Sequence, residues 1–438
     1  MSSQSNFSRF NSDPAETTGR YVVTFQDDAL EEGIRLLQDQ AGINALPRAN
    51  DFAESALDMS QMESAGGAIF STLGVAVVSM EEDALSAMMT ILGNNSPILA
   101  IEPERIHYAI NEGLTPDYLR GYRDAAGYLY QQAKTSTVSP ETSDSLEEVI
   151  SVTATFADNT VSTWGLQATN AISSRYTGRG INIAVLDTGF DFSHPDFQGR
   201  SVVSRSFVSD GTVQDTDRHG THCIGTACGH QDSNGRRYGV AYQSNIYVGK
   251  VLDNRRSGND GDVMAGMEWA IRQGCAVISM SLGNKVATSS AAYEDVGRRA
   301  LNNGCLVIAA AGNHRLEGAP PIKTVGQPAN SPSIMAVGAI DNRLNLYSGS
   351  CRSGTGSGGN VDIVGPGVSV YSSLLNGRNG NDTGTSMATP HVAGIAALYA
   401  EATGQRGWDL WRLLISNTLP LSALLSVDVG SGLVQSPR

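Results

Sequence analysis

The sequence predicts an α/β protein, a doubly wound, mostly parallel sheet with helices on both faces, preceded by a small α+β domain. Three observations carry this expectation. After Trp164, short β-branched apolar runs alternate with helical patterns, as in a sheet buried on both faces. Before it, from Arg20, the order of patterns is βαββαβ. Between the two lies a polar stretch rich in Ser, Thr, Pro and acid.

In the first block, RYVVTF reads as a strand and DDALEEGIRLLQDQAG as an amphipathic helix. IFSTLG and VAVVSM follow as two strands, EEDALSAMMTIL returns to helical spacing, and ILAIEPE is a last strand. The order is the split βαβ arrangement of a ferredoxin-like domain. Residues 1–19 read as a flexible polar tail, 20–108 as this domain, and 109–159 as a linker with a helical stretch and a processing site. A larger domain is expected over 160–425 and a C-terminal tail over 426–438.

In the large block, INIAVLD, SNIYVGKVL, CAVISMSLG, CLVIAAAGN and SIMAVGAI are runs of the buried-strand type. DGDVMAGMEWAIRQG and AAYEDVGRRALNNG read as helices, the second closing on Gly304. Sites in such sheets lie beyond the carboxyl ends of the strands.

Composition narrows the function classes. With 40% apolar residues and 48 glycines among 438, the chain has a globular balance, which excludes collagen-like and wholly disordered readings. Thirty basic against 44 acidic residues give a net charge of −14, which argues against nucleic acid or an anionic membrane as partner. The five cysteines form no CxxC pair and no zinc-spaced cluster. The first twenty residues carry no signal-peptide core, so the expected location is cytoplasmic, with export by a route not visible in the sequence as the alternative.

Three segments carry chemistry. INIAVLDTG ends a strand on Asp187, DRHGTHCIGTACG opens a helix on His219, and NDTGTSMATPHVAGIAALYA places Ser386 where a glycine turn enters a long apolar helix. A hydroxyl becomes a nucleophile when an imidazole takes its proton, and that imidazole needs a carboxylate to orient it. Each residue alone has an ordinary structural role as a turn former or cap. Together, in the order Asp, His, Ser, they form a triad pattern.

DTG, HGTHC and GTSMATP, with the segment CLVIAAAGN, resemble the signature segments of the subtilisin-like serine peptidases, and HGTHC is similar to the proteinase K branch. The resemblance covers roughly 160–425 and implies a subtilisin-like fold. It implies Ser386 as nucleophile, His219 as general base and then acid, Asp187 as its orienting partner, and Asn313 as a donor in the oxyanion hole. Substrate would be held by strand addition between Ser257, Gly258 and Asn259 on one side and Ser281, Leu282 and Gly283 on the other. Ala309, Ala310 and Ala311 would wall the primary specificity pocket. Cys223, four residues after His219, shares its helix face and reads as a small buried hydrophobe, not a second nucleophile.

No cofactor is required for the implied chemistry. The resemblance marks Asp196 as a ligand of a structural calcium ion, while Arg236 and Arg237 in the loop DSNGRRYG oppose a cation there. The βαββαβ domain resembles the propeptide of the same peptidases, implying an intramolecular inhibitor and folding chaperone released by a self-inflicted cut. The expected partners are therefore a peptide or protein substrate and the chain's own N-terminal domain. The alternatives are a peptide-binding pseudopeptidase and a ligase using the same acyl-enzyme.

Overall fold

The computed structural model describes residues 16–43, 46–49, 64–93, 96–110, 155–317, 323–354 and 358–438. Of the tail expected over 1–19, residues 1–15 lie outside the described residues and residues 17–19 are corrected to strand, since Thr17 pairs with Arg105. Most of the linker expected over 109–159, residues 111–154, also lies outside the described residues.

The N-terminal domain runs β1 (Thr17–Phe25), α1 (Leu30–Ala41), β2 (Gly67–Phe70), β3 (Val75–Val78), α2 (Glu82–Ile91) and β4 (Ile98–Ala109). Its antiparallel sheet has the order β4-β1-β3-β2. Side chains alternate between the faces of a strand, and here both faces are buried. Val23, Phe25, Ala76 and Val78 pack with Ile34 and Leu37 of α1 and Met88 of α2. Val22, Phe70, Val75 and Val77 instead join the core of the large domain.

In the large domain the sheet order is β13-β12-β11-β9-β5-β7-β6, parallel throughout. The strands are β5 (Asn182–Asp187), β6 (Val202–Ser206), β7 (Asn245–Lys250), β9 (Val277–Met280), β11 (Leu306–Ala310), β12 (Met335–Ile340) and β13 (Ile363–Pro366). The chain leaves β5 toward β6 and β7, then crosses back to β9 on the other side of β5. Asp187 therefore ends the strand at which the winding reverses, the place where open α/β sheets build their sites.

A short helix α3 (Trp164–Ala168) opens the domain, and α4 (His219–Cys228), α5 (Asp260–Arg272), α6 (Ala291–Asn302), α7 (Thr385–Thr403) and α8 (Gly407–Ser416) cover the sheet. The helix α5 starts with a capping box in which Asn259 accepts from the Asp262 amide and Asp262 accepts from the Asn259 amide. The helix α6 closes where predicted, with Gly304 at φ 78° in the left-handed region that glycine tolerates. Two short strands, β8 (Ser257–Asn259) and β10 (Leu282–Gly283), stand outside the main sheet, and β14 (Val370–Leu374) pairs with β15 (Arg378–Asp382) as a hairpin.

The C-terminal tail expected over 426–438 is corrected by the structure. After a short helix α9 (Ser426–Val429), Leu433 bridges both Val364 of the edge strand β13 and Leu419, and Val429, Leu433 and Val434 are buried. The segment is held because it covers an otherwise open sheet edge with apolar side chains. Among the described residues no helix is long and apolar enough to cross a membrane.

The N-terminal sheet lies on α5 and α6, and carboxylates from both sides fix the contact. Glu102 accepts from the Ser290 hydroxyl at 2.9 Å and the Ala292 amide at 2.8 Å at the start of α6. Glu104 accepts from the Gly261 amide of α5 at 3.0 Å. In return Glu268 of α5 accepts from the Thr72 and Leu73 amides at 3.1 and 3.0 Å. Free amides at helix starts and tight turns attract negative charge, which accounts for the choice of residue in each case.

Candidate active site

The end of β5 presents Asp187, whose Oδ1 lies 2.7 Å from His219 Nδ1. Asp187 Oδ1 also accepts from the Thr188 amide at 2.8 Å, and Thr188 Oγ1 accepts from the Gly220 amide at 2.9 Å. This joins the strand end to the first turn of α4. Asp215 anchors the same turn, accepting from the Thr221 amide and hydroxyl at 2.9 and 2.7 Å and from the Arg218 amide at 3.1 Å. A carboxylate here satisfies amides that the helix itself leaves unpaired.

Both His219 and Asp187 are buried. Burial works to lower the His219 pKa, but the Asp187 carboxylate against its ring outweighs it and holds the value well above the ordinary one. A carboxylate only accepts, so Nδ1 carries a proton and Nε2 is the exchangeable position. Nε2 is buried and has no hydrogen-bond partner among the described residues.

Ser386 sits in the first turn of α7, preceded by Gly384 at φ 151°. A Cβ on Gly384 would come within 2.6 Å of Asn313 Nδ2, so only glycine allows the asparagine beside it. Asn313 follows β11, and its Oδ1 accepts from the Thr385 amide at 2.9 Å and the Thr385 hydroxyl at 3.0 Å. Those two bonds fix which way the amide faces and leave Nδ2 as the donor toward the cleft.

What Nδ2 meets there is the N-terminal domain. Beyond Arg105, β4 runs antiparallel between β8 and β10, with Ile106, His107 and Tyr108 opposite Asn259, Gly258 and Ser257, and Tyr108 and Ala109 opposite Gly283 and Leu282. The Ile110 amide donates to the Ser281 carbonyl at 3.1 Å. The Ile110 carbonyl accepts from Asn313 Nδ2 at 3.1 Å and from the Ser386 hydroxyl. A peptide carbonyl is thereby presented to a hydroxyl and a side-chain amide at the end of an added strand.

The structure thus brings Asp187, His219, Asn313 and Ser386 to one end of the sheet and puts Ser257–Asn259 and Ser281–Gly283 along the inserted strand. Ala309, Ala310 and Ala311 are buried at the end of β11, directly before Gly312 and Asn313. The sequence reading missed Thr385 and Asp215, because both act by orienting a neighbour: Thr385 lies inside GTSMATP, where nothing local reports its bond to Asn313, and Asp215 lies outside the quoted segments. It also missed His107, buried in the cleft against Asp260.

Cys223 lies 4.0 Å from His219 Nδ1 and 3.5 Å from the Ser386 carbonyl. Burial pushes its thiol up to about 11, so it is neutral near pH 7. Asp187, His219 and Cys223 are the one trio of such side chains, among the described residues, close enough to share an ion. A metal would need Cys223 as thiolate and Asp187 released from the imidazole, and the local chemistry opposes both.

Asp196 does not fit a calcium site. Its Oδ2 accepts from the Tyr238 hydroxyl at 2.8 Å and from Asn379 Nδ2 at 2.9 Å, so protons already point at the oxygen a cation would need. In the neighbouring loop, Asp232 pairs with Arg236 at 3.3 Å, and the Arg236 guanidinium lies over the Tyr371 ring. A hard cation requires several oxygen ligands free of such donors.

A parallel sheet with this order, a buried Asp-His pair at the end of β5 and a serine in the first turn of α7 define a class, and comparison gives its name. Residues 178–432 match the subtilase family, and the chain belongs to it as a subtilisin-like serine peptidase. The chain is 44% identical over 228 residues to subtilisin of Bacillus pumilus, a match covering 52% of this chain and 78% of that protein. It is 43% identical over 228 residues to subtilisin E of Bacillus subtilis (strain 168), covering 52% of this chain and 57% of the relative. The intracellular serine protease of Paenibacillus polymyxa is 34% identical over 277 residues, covering 60% of this chain and 81% of that protein.

Proposed function

We propose that the protein is a serine endopeptidase made as a self-inhibited precursor, and that its first substrate is the bond after Ile110. The observation that carries this reading is the Ile110 carbonyl held by Asn313 Nδ2 and the Ser386 hydroxyl at the end of the inserted strand. In the proposed reaction Ser386 Oγ attacks the Ile110 carbonyl carbon as its proton passes to His219 Nε2. The oxygen that becomes negative is met by Asn313, and Asp187 stabilises the charged imidazole. His219 then gives the proton to the leaving amine of Asn111, and water, deprotonated by the same nitrogen, releases the acyl group from Ser386.

The cut lies within the stretch 109–159 expected to contain the processing site. The N-terminal segment stays as a product-like inhibitor until its strand is displaced. Its sheet shares the apolar core of the large domain, which supports a second role as folding template for a parallel sheet of high contact order. The similarity to a protein named intracellular serine protease supports a cytoplasmic location, and finding the mature chain only outside the cell would contradict it. No observation favours the peptide-binding or ligase readings.

A fluorophosphonate probe tests the assignment. The wild-type chain is expected to be labelled at Ser386 once the N-terminal segment has been removed, and Ser386→Ala to remain unlabelled. Labelling elsewhere, or none in a processed chain, would remove Ser386 from the mechanism.

A further inference from the structure

Counting back from the carbonyl on Ser386, Ile110 is the first residue before the proposed cut and His107 the fourth. The His107 side chain is fully buried between the two domains. Its Nε2 lies 2.5 Å from Asp260 Oδ1. The Tyr293 hydroxyl donates to the same oxygen at 2.9 Å and lies 3.1 Å from Nε2, and the two rings meet edge to face at 87°. Since a carboxylate only accepts, Nε2 carries the proton and His107 donates to Asp260.

Asp260 and Tyr293 belong to the large domain, so the receptor for this imidazole stays when the N-terminal segment leaves. Asp260 is the first residue of α5, where the helix favours negative charge, and its Oδ2 accepts from the Arg105 amide at 2.7 Å. The carboxylate is thereby tied to the substrate strand twice, once through backbone and once through the fourth residue's side chain. An apolar side chain there would bury Oδ1 with only the tyrosine hydroxyl as partner. Leaving a buried charged acceptor short of a donor is costly, so the pocket discriminates by penalty as well as by attraction.

We propose that Asp260 and Tyr293 make this peptidase selective for histidine at the fourth residue before the scissile bond, and that its protein substrates carry an imidazole there as its own N-terminal segment does. The proposal rests on the peptidase reading above and adds the substrate class.

The test uses the self-processed protein and peptides built on its own sequence, Arg-Ile-X-Tyr-Ala-Ile followed by a short polar tail, with X as His, Ala, Leu or Lys. Casein serves as a substrate without a designed fourth residue. The His peptide is expected to exceed the Leu and Ala peptides in kcat/KM by about tenfold or more, the size of a charge-assisted hydrogen bond. Asp260→Asn should shrink the His-to-Leu ratio to about threefold, and Tyr293→Phe should reduce it less, since a neutral acceptor or a lost hydroxyl weakens one bond. Casein cleavage together with a Leu or Lys peptide cut as fast as the His peptide would overturn the selectivity and leave the peptidase reading standing. If casein too stays whole, the peptidase reading fails and takes the selectivity with it.

Discussion

Asn313 shows how much a single residue's chemistry depends on what holds it. Its amide would be ambiguous in isolation, but Thr385 donates to Oδ1 from amide and hydroxyl, at 2.9 and 3.0 Å, so Nδ2 is the atom presented to the Ile110 carbonyl. Asn313→Ala is therefore expected to lower kcat by about 10²–10³ with little change in KM, a magnitude taken from subtilisin itself. Steady-state kinetics on a peptide substrate checks it, and a raised KM with kcat unchanged would mean that Asn313 binds the ground state instead. At His219 the sign of the pH dependence follows from the neighbouring carboxylate. Asp187 overcomes the effect of burial and holds the imidazole pKa well above 6.5, and the base must be neutral to act. Self-cleavage should accelerate as pH rises, with a midpoint above 6.5 when the fraction cut is followed by intact mass. A midpoint at or below 6.5 would contradict the coupling to Asp187.

At the scale of elements, the inserted strand and the helix starts around it govern how tightly the N-terminal domain is held. Glu268 in α5 is buried, and burial raises its pKa, yet it accepts two amides from the turn after β2. Glu268→Ala removes both bonds and takes from the Thr72 and Leu73 amides the carboxylate that accepts them. The N-terminal segment, once cut, should then dissociate about tenfold faster or more, read by its loss from the complex on size-exclusion chromatography. Unchanged retention would show that the apolar contact alone holds it. This scale also separates what was legible in the sequence from what was not. The strands β5, β7, β9, β11 and β12 were legible because burial on both faces writes them as continuous apolar runs. The edge strand β6, VVSRS, and the hairpin of β14 and β15 were not, since partial exposure leaves no apolar run and no clean alternation. Asp187, His219, Asn313 and Ser386 were legible through local strings. The pairing of His107 with Asp260 spans 153 positions, and no local periodicity reports such a contact.

The whole molecule is two domains sharing one buried face, so the proposed release of the N-terminal segment would expose apolar core of the large domain. Asp362 offers a pH test of the large domain. Burial raises its pKa from 3.8 to about 7, so the native state keeps a proton that the unfolded chain releases, and this group's contribution to stability falls as pH rises between those values. In a Ser386→Ala background, which prevents self-digestion, Asp362→Asn should raise the melting temperature above pH 7 by roughly 2–4 °C relative to its effect near pH 4. A pH-independent effect would mean that Asp362 is charged in the folded state.

The central claim is that Ser386 cuts this chain after Ile110, and the intact masses of the wild-type and Ser386→Ala proteins test it most directly. The wild type should resolve into an N-terminal fragment ending at Ile110 and a partner beginning at Asn111, while the variant stays whole at 46.2 kDa. Two whole proteins, or identical cleavage of both, would contradict it.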